Sequence, residues 1–284
     1  MAARSITSLL VLLCSAAILA QPADKKIFVS VIDGTARPVT DVKTSEFALR
    51  EDGVEREVIA LRPVSEPLSV ALLVDTTAGT ERYIDSIRKG LAAFARDLLA
   101  ANPKNELAVW EFGVAAQRVR DFSSDSAAVQ KELGRVFPRA DAGSVLLETV
   151  YLASEALARR PLERRAIVVF NVEPSVELTE RQPQQINESL MKSRAQLWAL
   201  SLQRGEIESG GRDFLLNSLV RNAGGLREKI LADTAIERYM TAYAAALATQ
   251  YEVTYRRPSG TAKVVQTGIR RDGVKVIAGL FAPR

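Results

Sequence analysis

Oxygen-bearing side chains gather where apolar runs end in this sequence. The run Ser69-Val70-Ala71-Leu72-Leu73-Val74 stops at Asp75, and the hydroxyls of Thr76, Thr77 and Thr80 follow it before and after Gly79. In an open α/β sheet, ligands bind outside the carboxyl ends of the strands, so Asp75 and its neighbours stand where a site would form. Glu111, Asp141, Glu148 and Glu173 are carboxylates that the same sheet edge would bring close. Paired carboxylates are the machinery of a glycosidase-type hydrolase, which also needs a fixed separation and usually a sugar-stacking aromatic. Aromatics make up only 6% of the chain, and Trp110 and Trp198 lie inside apolar runs, where core packing is the expected role.

The elements that must position these residues follow from periodicity. The run 69–75, between Pro67 and Gly79, reads as a strand buried on both faces, and 81–99 as an amphipathic helix. Strands over 105–113 and 117–122, a helix over 125–136, a helix over 144–159 and the apolar strand 166–170 come next. A helix over 181–195, a strand over 196–202, a helix over 211–222, a short strand near 226–230 and a helix over 232–249 complete the series. Six strands separated by helices, one of them a short antiparallel edge, specify a doubly wound, Rossmann-like sheet.

Both flanks are β in character. Strands over 26–33, 44–50 and 54–64 precede the α/β unit, with Glu51-Asp52-Gly53 as a tight hairpin signal. Strands over 251–255, 263–270 and 274–281 follow it, with a second signal at Asp272-Gly273. Neither flank has a core of its own, so 27–66 and 251–284 are expected to pair into one small β-sandwich around an inserted domain, 67–250.

Composition narrows the chemistry. The 284-residue chain is 47% hydrophobic and 25% charged, with no histidine and one cysteine, Cys14. Residues 1–20 read as a signal peptide: Arg4 gives a positive start, 6–19 an apolar run, and Ala16, Ala17 and Ala20 a small-residue exit. Cleavage would remove Cys14, leaving no means for a disulfide, a Cys or His zinc site, or a Ser-His-Asp triad. It would also leave no stable membrane span, and the expected location is secreted or periplasmic. A net charge of +4 is too small to indicate nucleic-acid binding. The basic clusters Arg159, Arg160, Arg164, Arg165 and Arg256, Arg257, Lys263, Arg270, Arg271 are expected to be solvated. The glycines of 205–211 make a poor phosphate cradle, because Glu206 and Glu208 lie among them and no P-loop lysine follows.

The order of several short elements resembles the von Willebrand factor A (VWA) family, and more closely the secreted bacterial VWFA-related proteins of the acidobacterial type. These elements are Asp33-Gly34 with Val39, Glu46-Phe47 through Glu51-Asp52-Gly53, Pro67-Leu68-Ser69 leading into Asp75, and Gln250-Tyr251 with Tyr255. The resemblance implies a protein-binding module with a metal-ion-dependent adhesion site, in which Mg or Mn is held by carboxylate and hydroxyl oxygens and completed by a partner's carboxylate. Asp75, Thr77, Ser144 and Glu148 match that pattern or replace its residues conservatively. Gly79 stands at a serine position and Val172, in Asn171-Val172-Glu173, at an aspartate position, so two donors are missing. Thr80 and Glu173 lie one residue from the lost positions. The expectation is a degenerate site without metal or other cofactor, in which Asp75 caps the next helix or accepts bonds from nearby amides. The function expected is non-catalytic binding of another protein through Thr77, Thr80, Ser144, Glu148, Asn171 and Glu173. The alternatives are a rebuilt cation site, a structural envelope component binding through the sandwich, and the carboxylate hydrolase.

Overall fold

Alternating apolar and polar residues build β1 (Ala23–Asp33), one of the two inner strands of the terminal sheet. The computed structural model describes residues 23–139, 143–207, 209–258 and 260–283, so the leader 1–20 and Asp141 lie outside the described residues. A 3-10 turn occupies Thr44–Glu46, where a strand was expected, because the Glu46 carboxylate accepts the Lys43 amide at 2.9 Å and closes the turn. It leads into β2 (Phe47–Glu51), β3 (Val54–Glu55) and β4 (Val58–Pro63). Asp52 and Gly53 both hold positive φ, 47° and 83°, as a two-residue hairpin between right-twisted strands requires.

The large sheet is made of β5 (Leu68–Asp75), β6 (Glu106–Phe112), β7 (Ala116–Ser123), β9 (Arg164–Glu173), β11 (Gln196–Gln203) and β12 (Arg227–Ile230). Two-residue strands β8 (Gly143–Ser144) and β10 (Val176–Glu177) pair in parallel beyond its edge. The order is β12-β11-β9-β5-β6-β7, parallel throughout except for the antiparallel pair β6–β7. The helices are α1 (Ile84–Ala101), α2 (Ser126–Leu133), α3 (Leu146–Ala158), α4 (Pro183–Ser193), α5 (Gly210–Phe214), α6 (Val220–Asn222) and α7 (Ile236–Ala248). A π-helical turn, Leu215–Leu219, joins α5 to α6. Val70, Leu72 and Val74 face the layer of α1, α2 and α7, whereas Ala71 and Leu73 face α3, α4 and the α5–α6 segment. This is the two-residue alternation of a strand covered on both sides.

Strands β13 (Tyr251–Arg257), β14 (Val265–Ile269) and β15 (Val274–Ile277) return to the first segment. One sheet has the order β15-β1-β13-β4 and the facing one β14-β2-β3, with Val29, Val31, Leu49, Val253 and Tyr255 buried between them. Two arginines expected in water are instead buried. Arg257 pairs with Glu51 inside the sandwich, at 2.5 Å. Arg164, at the start of β9, donates to the carbonyls of Glu66 and Leu247 and to Gln250 Oε1. Gln250 in turn donates to Ser30 Oγ and Gln196 Oε1, which ties the sandwich to the amino edge of the large sheet. No helix among the described residues is long and apolar enough to cross a membrane.

The close approach of the loop before β12 to β11 depends on one glycine. A Cβ at Gly225 would lie 1.8 Å from the Leu197 carbonyl oxygen, a backbone atom with no freedom to rotate away. We expect Gly225→Ala to lose about 3 kcal/mol or more in urea unfolding, the upper end of overpacking costs. An unchanged midpoint would show that this contact does not constrain the sheet.

Candidate functional site

At the end of β5, Asp75 is fully buried. Its Oδ1 accepts the Thr77 amide at 2.8 Å and the Thr77 hydroxyl at 2.7 Å, and its Oδ2 accepts the Val172 amide at 3.0 Å. Burial pushes its carboxyl pKa up, against those bonds and the nearby Arg212 charge. Of the two roles expected for Asp75, accepting amides is the one made. Thr77 itself occupies the cap position of the following 3-10 turn, Ala78–Tyr83, without a side-chain cap. The Thr80 hydroxyl donates to the Thr77 carbonyl at 2.7 Å, so both threonines are bound within their own loop.

The centre of the site is a residue that motif reasoning does not reach. Arg212, in the first turn of α5, is wholly buried. Its Nε and Nη2 donate to Glu173 Oε1 at 3.1 and 2.5 Å, and its Nη1 donates to Ser144 Oγ at 2.8 Å and Glu177 Oε2 at 3.1 Å. Burial works to lower the Arg212 pKa, but the charge and bonds of Glu173, with Asp75 and Glu177 behind it, outweigh this and raise it. Glu173 also accepts Asn171 Nδ2 at 2.7 Å and the Ser175 amide at 3.1 Å, while Ser201 Oγ donates to Asn171 Oδ1 at 2.9 Å. Gly211 packs close to α3: a Cβ there would sit 3.2 Å from Leu147 Cδ2, which would have to shift by a few tenths of an ångström.

Ser144, Asn171, Glu173 and Asp75 are therefore brought together, and Glu148 is not. Glu148 turns to Arg181, which donates to both its oxygens at 2.5 and 3.1 Å. Glu111 pairs with Arg139 at 2.9 Å. Each described carboxylate of the hydrolase alternative is thus held by an arginine, a poor arrangement for general acid or base work. The oxygen atoms expected to hold a divalent ion are engaged within the protein. Ser144 and Glu173 already face a guanidinium, and the two positions lacking donors lie against each other, since a Cβ at Gly79 would meet Val172 Cγ1 at 3.6 Å.

Comparison with solved structures adds the context of this arrangement. The chain is similar to proximal thread matrix protein 1 from the mussel byssus, at 12% identity over 72% of this chain and 51% of that one, with a TM-score of 0.52. It is also similar to a von Willebrand factor type A protein from Catenulispora acidiphila, at 12% identity, 90% and 74% coverage and a TM-score of 0.49. A third likeness is to the PilB minor pilin of Streptococcus sanguinis, at 8% identity, 66% and 63% coverage and a TM-score of 0.47. The fold shared with the mussel protein is a mixed α/β one, here a mostly parallel six-stranded sheet with separate antiparallel sheets beside it. No family model and no curated protein matches the sequence. The chain spans 51% of the mussel protein and 63% of the pilin, so only a part of each is comparable.

Around the buried cluster, segments that leave the carboxyl edge of the large sheet carry exposed apolar side chains. Among the described residues, ten large hydrophobic side chains are exposed, and six of them, Val114, Phe137, Val176, Leu178, Phe214 and Leu231, lie in or just after the segments that leave this edge. Thr77, Thr80, Ser144, Asn171 and Glu173 are themselves buried.

Glu177 is the least satisfied member of the cluster, for its Oε1 accepts no hydrogen bond. Burial pushes its carboxyl from 4.5 up to about 7, and Arg212 pulls it back only in part. The folded chain holds a proton there that the unfolded chain releases, so this contribution to stability is complete below 4.5 and is lost as the pH rises through 7. We expect that loss to be about 3 kcal/mol in urea unfolding, and Glu177→Gln to remove it. Parallel pH profiles for the two chains would contradict the assignment.

Proposed function

We propose that this chain is a secreted or periplasmic, non-catalytic protein-binding module that contacts its partner through the carboxyl-edge loops without a divalent cation. The observation that carries the reading is the Arg212 guanidinium bonded to Ser144 and Glu173, two of the residues that VWA resemblance assigns to, or sets beside, the adhesion site. A fixed internal charge of this kind supplies the cation that the acidic cluster needs, and it leaves no open coordination position for a partner's carboxylate. The exposed apolar side chains at the same edge support protein as the ligand, because they are surface that a protein partner would bury. The ion pairs on Glu111, Glu148 and Glu173 weigh against catalysis.

Thermal unfolding with magnesium and with manganese tests the cation-free part of the reading. An ion that binds only the folded state adds about 2.7 kcal/mol at a hundred times its dissociation constant. The melting temperature of the protein is expected to be the same with either ion and without. A saturable rise that disappears in Asp75→Ala would overturn the reading in favour of a rebuilt adhesion site.

A further inference from the structure

Beside the buried cluster lies an open groove of about 630 Å³, between the turn Ala78–Tyr83 and the ends of β9 and β11. Its wall is apolar, formed by Ala78, Val172 and Pro174, and its rim is cationic. Arg82 and Arg204 both stand by the Tyr83 ring, with guanidinium carbons 6.0 and 5.6 Å from its centroid. Arg204 also donates to the Leu231 carbonyl at 2.7 Å, and the Leu231 side chain is 73% exposed. Among the described residues no carboxylate is paired with either arginine.

Two like charges beside one aromatic ring repel each other, and the ring's quadrupole offsets this only partly. An incoming carboxylate relieves the repulsion. Glu173 also lines the groove, but its charge is met by Arg212 beneath, which leaves Glu81 as the one carboxylate of the lining without an ion pair among the described residues. A small inorganic anion would satisfy the arginines and leave Ala78 and Pro174, with Leu231 nearby, in water. A peptide carrying carboxylates next to apolar side chains covers both. We propose that this groove receives an acidic, partly apolar segment of a partner protein, with its carboxylates on Arg82 and Arg204. This rests on the reading of the chain as a protein-binding module and names the chemistry of what it binds.

The test is fluorescence anisotropy with a labelled decapeptide of alternating glutamate and leucine, beside its glutamine counterpart and a sulfated oligosaccharide. Saturable binding of the glutamate peptide is expected, weakened at least tenfold by Arg82→Ala with Arg204→Ala and weakened by salt. Both arginines are exposed, so the double variant should melt with the wild type, and this is checked on the same samples. Equal binding of the glutamate and glutamine peptides, or binding unaffected by the double substitution, would overturn the proposal. Preference for the oligosaccharide would overturn it too, by assigning the arginines to a different occupant. Peptide binding that survives the double variant and is lost in a chelator would contradict the cation-free reading as well, whereas chelator-insensitive binding that survives it would overturn the groove alone, so the two failures are told apart.

Discussion

A carboxylate taken out of water must find an opposite charge or a proton, and at this sheet edge Asp75, Glu173 and Glu177 converge on one guanidinium. The cost of burying ions is several kcal/mol each, repaid only when geometry and hydrogen bonding are complete. Glu173 comes close to that condition, with Arg212, Asn171 and Ser175 around it. Glu177 does not, and its carboxyl is pushed toward neutrality. The arrangement of β8, β10 and the first turn of α5 follows from this one charge, because Arg212 reaches all three from inside the fold.

A second polar hub stands at the opposite edge of the sheet. There Arg164, Gln250, Gln196 and Ser30 link the α/β layers to the sandwich through neutral acceptors and backbone carbonyls. The amino-edge hub joins the parts of the chain. The carboxyl-edge hub lies among segments with exposed apolar side chains and beside a groove that carries Arg82 and Arg204, which is why we assign the proposed binding role to it. The contrast lies in the surroundings, since both hubs bury an arginine.

The fold was legible because its signals are local. The runs 69–75 and 166–170 are apolar throughout, as strands covered on both faces must be, and Asp52-Gly53 fixes a hairpin whatever surrounds it. Boundaries were less so: β9 runs on to Glu173, and the helix expected from 144 begins at Leu146, because Ser144 is held in the pairing of β8 with β10. The gathering of Asp75, Ser144, Asn171 and Glu173 was readable from their places after strands. Arg212 was not, since it lies 39 residues from Glu173 in sequence, and no spacing rule joins an arginine in the first turn of a helix to a carboxylate at the end of a strand. The signal present was negative: an acidic cluster lacking metal donors needs a cation from somewhere, and Gly210-Gly211-Arg212 offers one on a backbone able to come close.

Thermal unfolding of Arg212→Ala, with and without manganese and beside Arg212→Lys, tests most directly whether this guanidinium takes the place of an ion. The account predicts that Arg212→Ala loses about 3 to 5 kcal/mol, the cost of leaving buried carboxylates unpaired. It also predicts that manganese restores part of the loss in a saturable way, while Arg212→Lys, which keeps the charge, gives no manganese response. An Arg212→Ala chain as stable as the wild type, or one that is destabilised and indifferent to manganese, would contradict it.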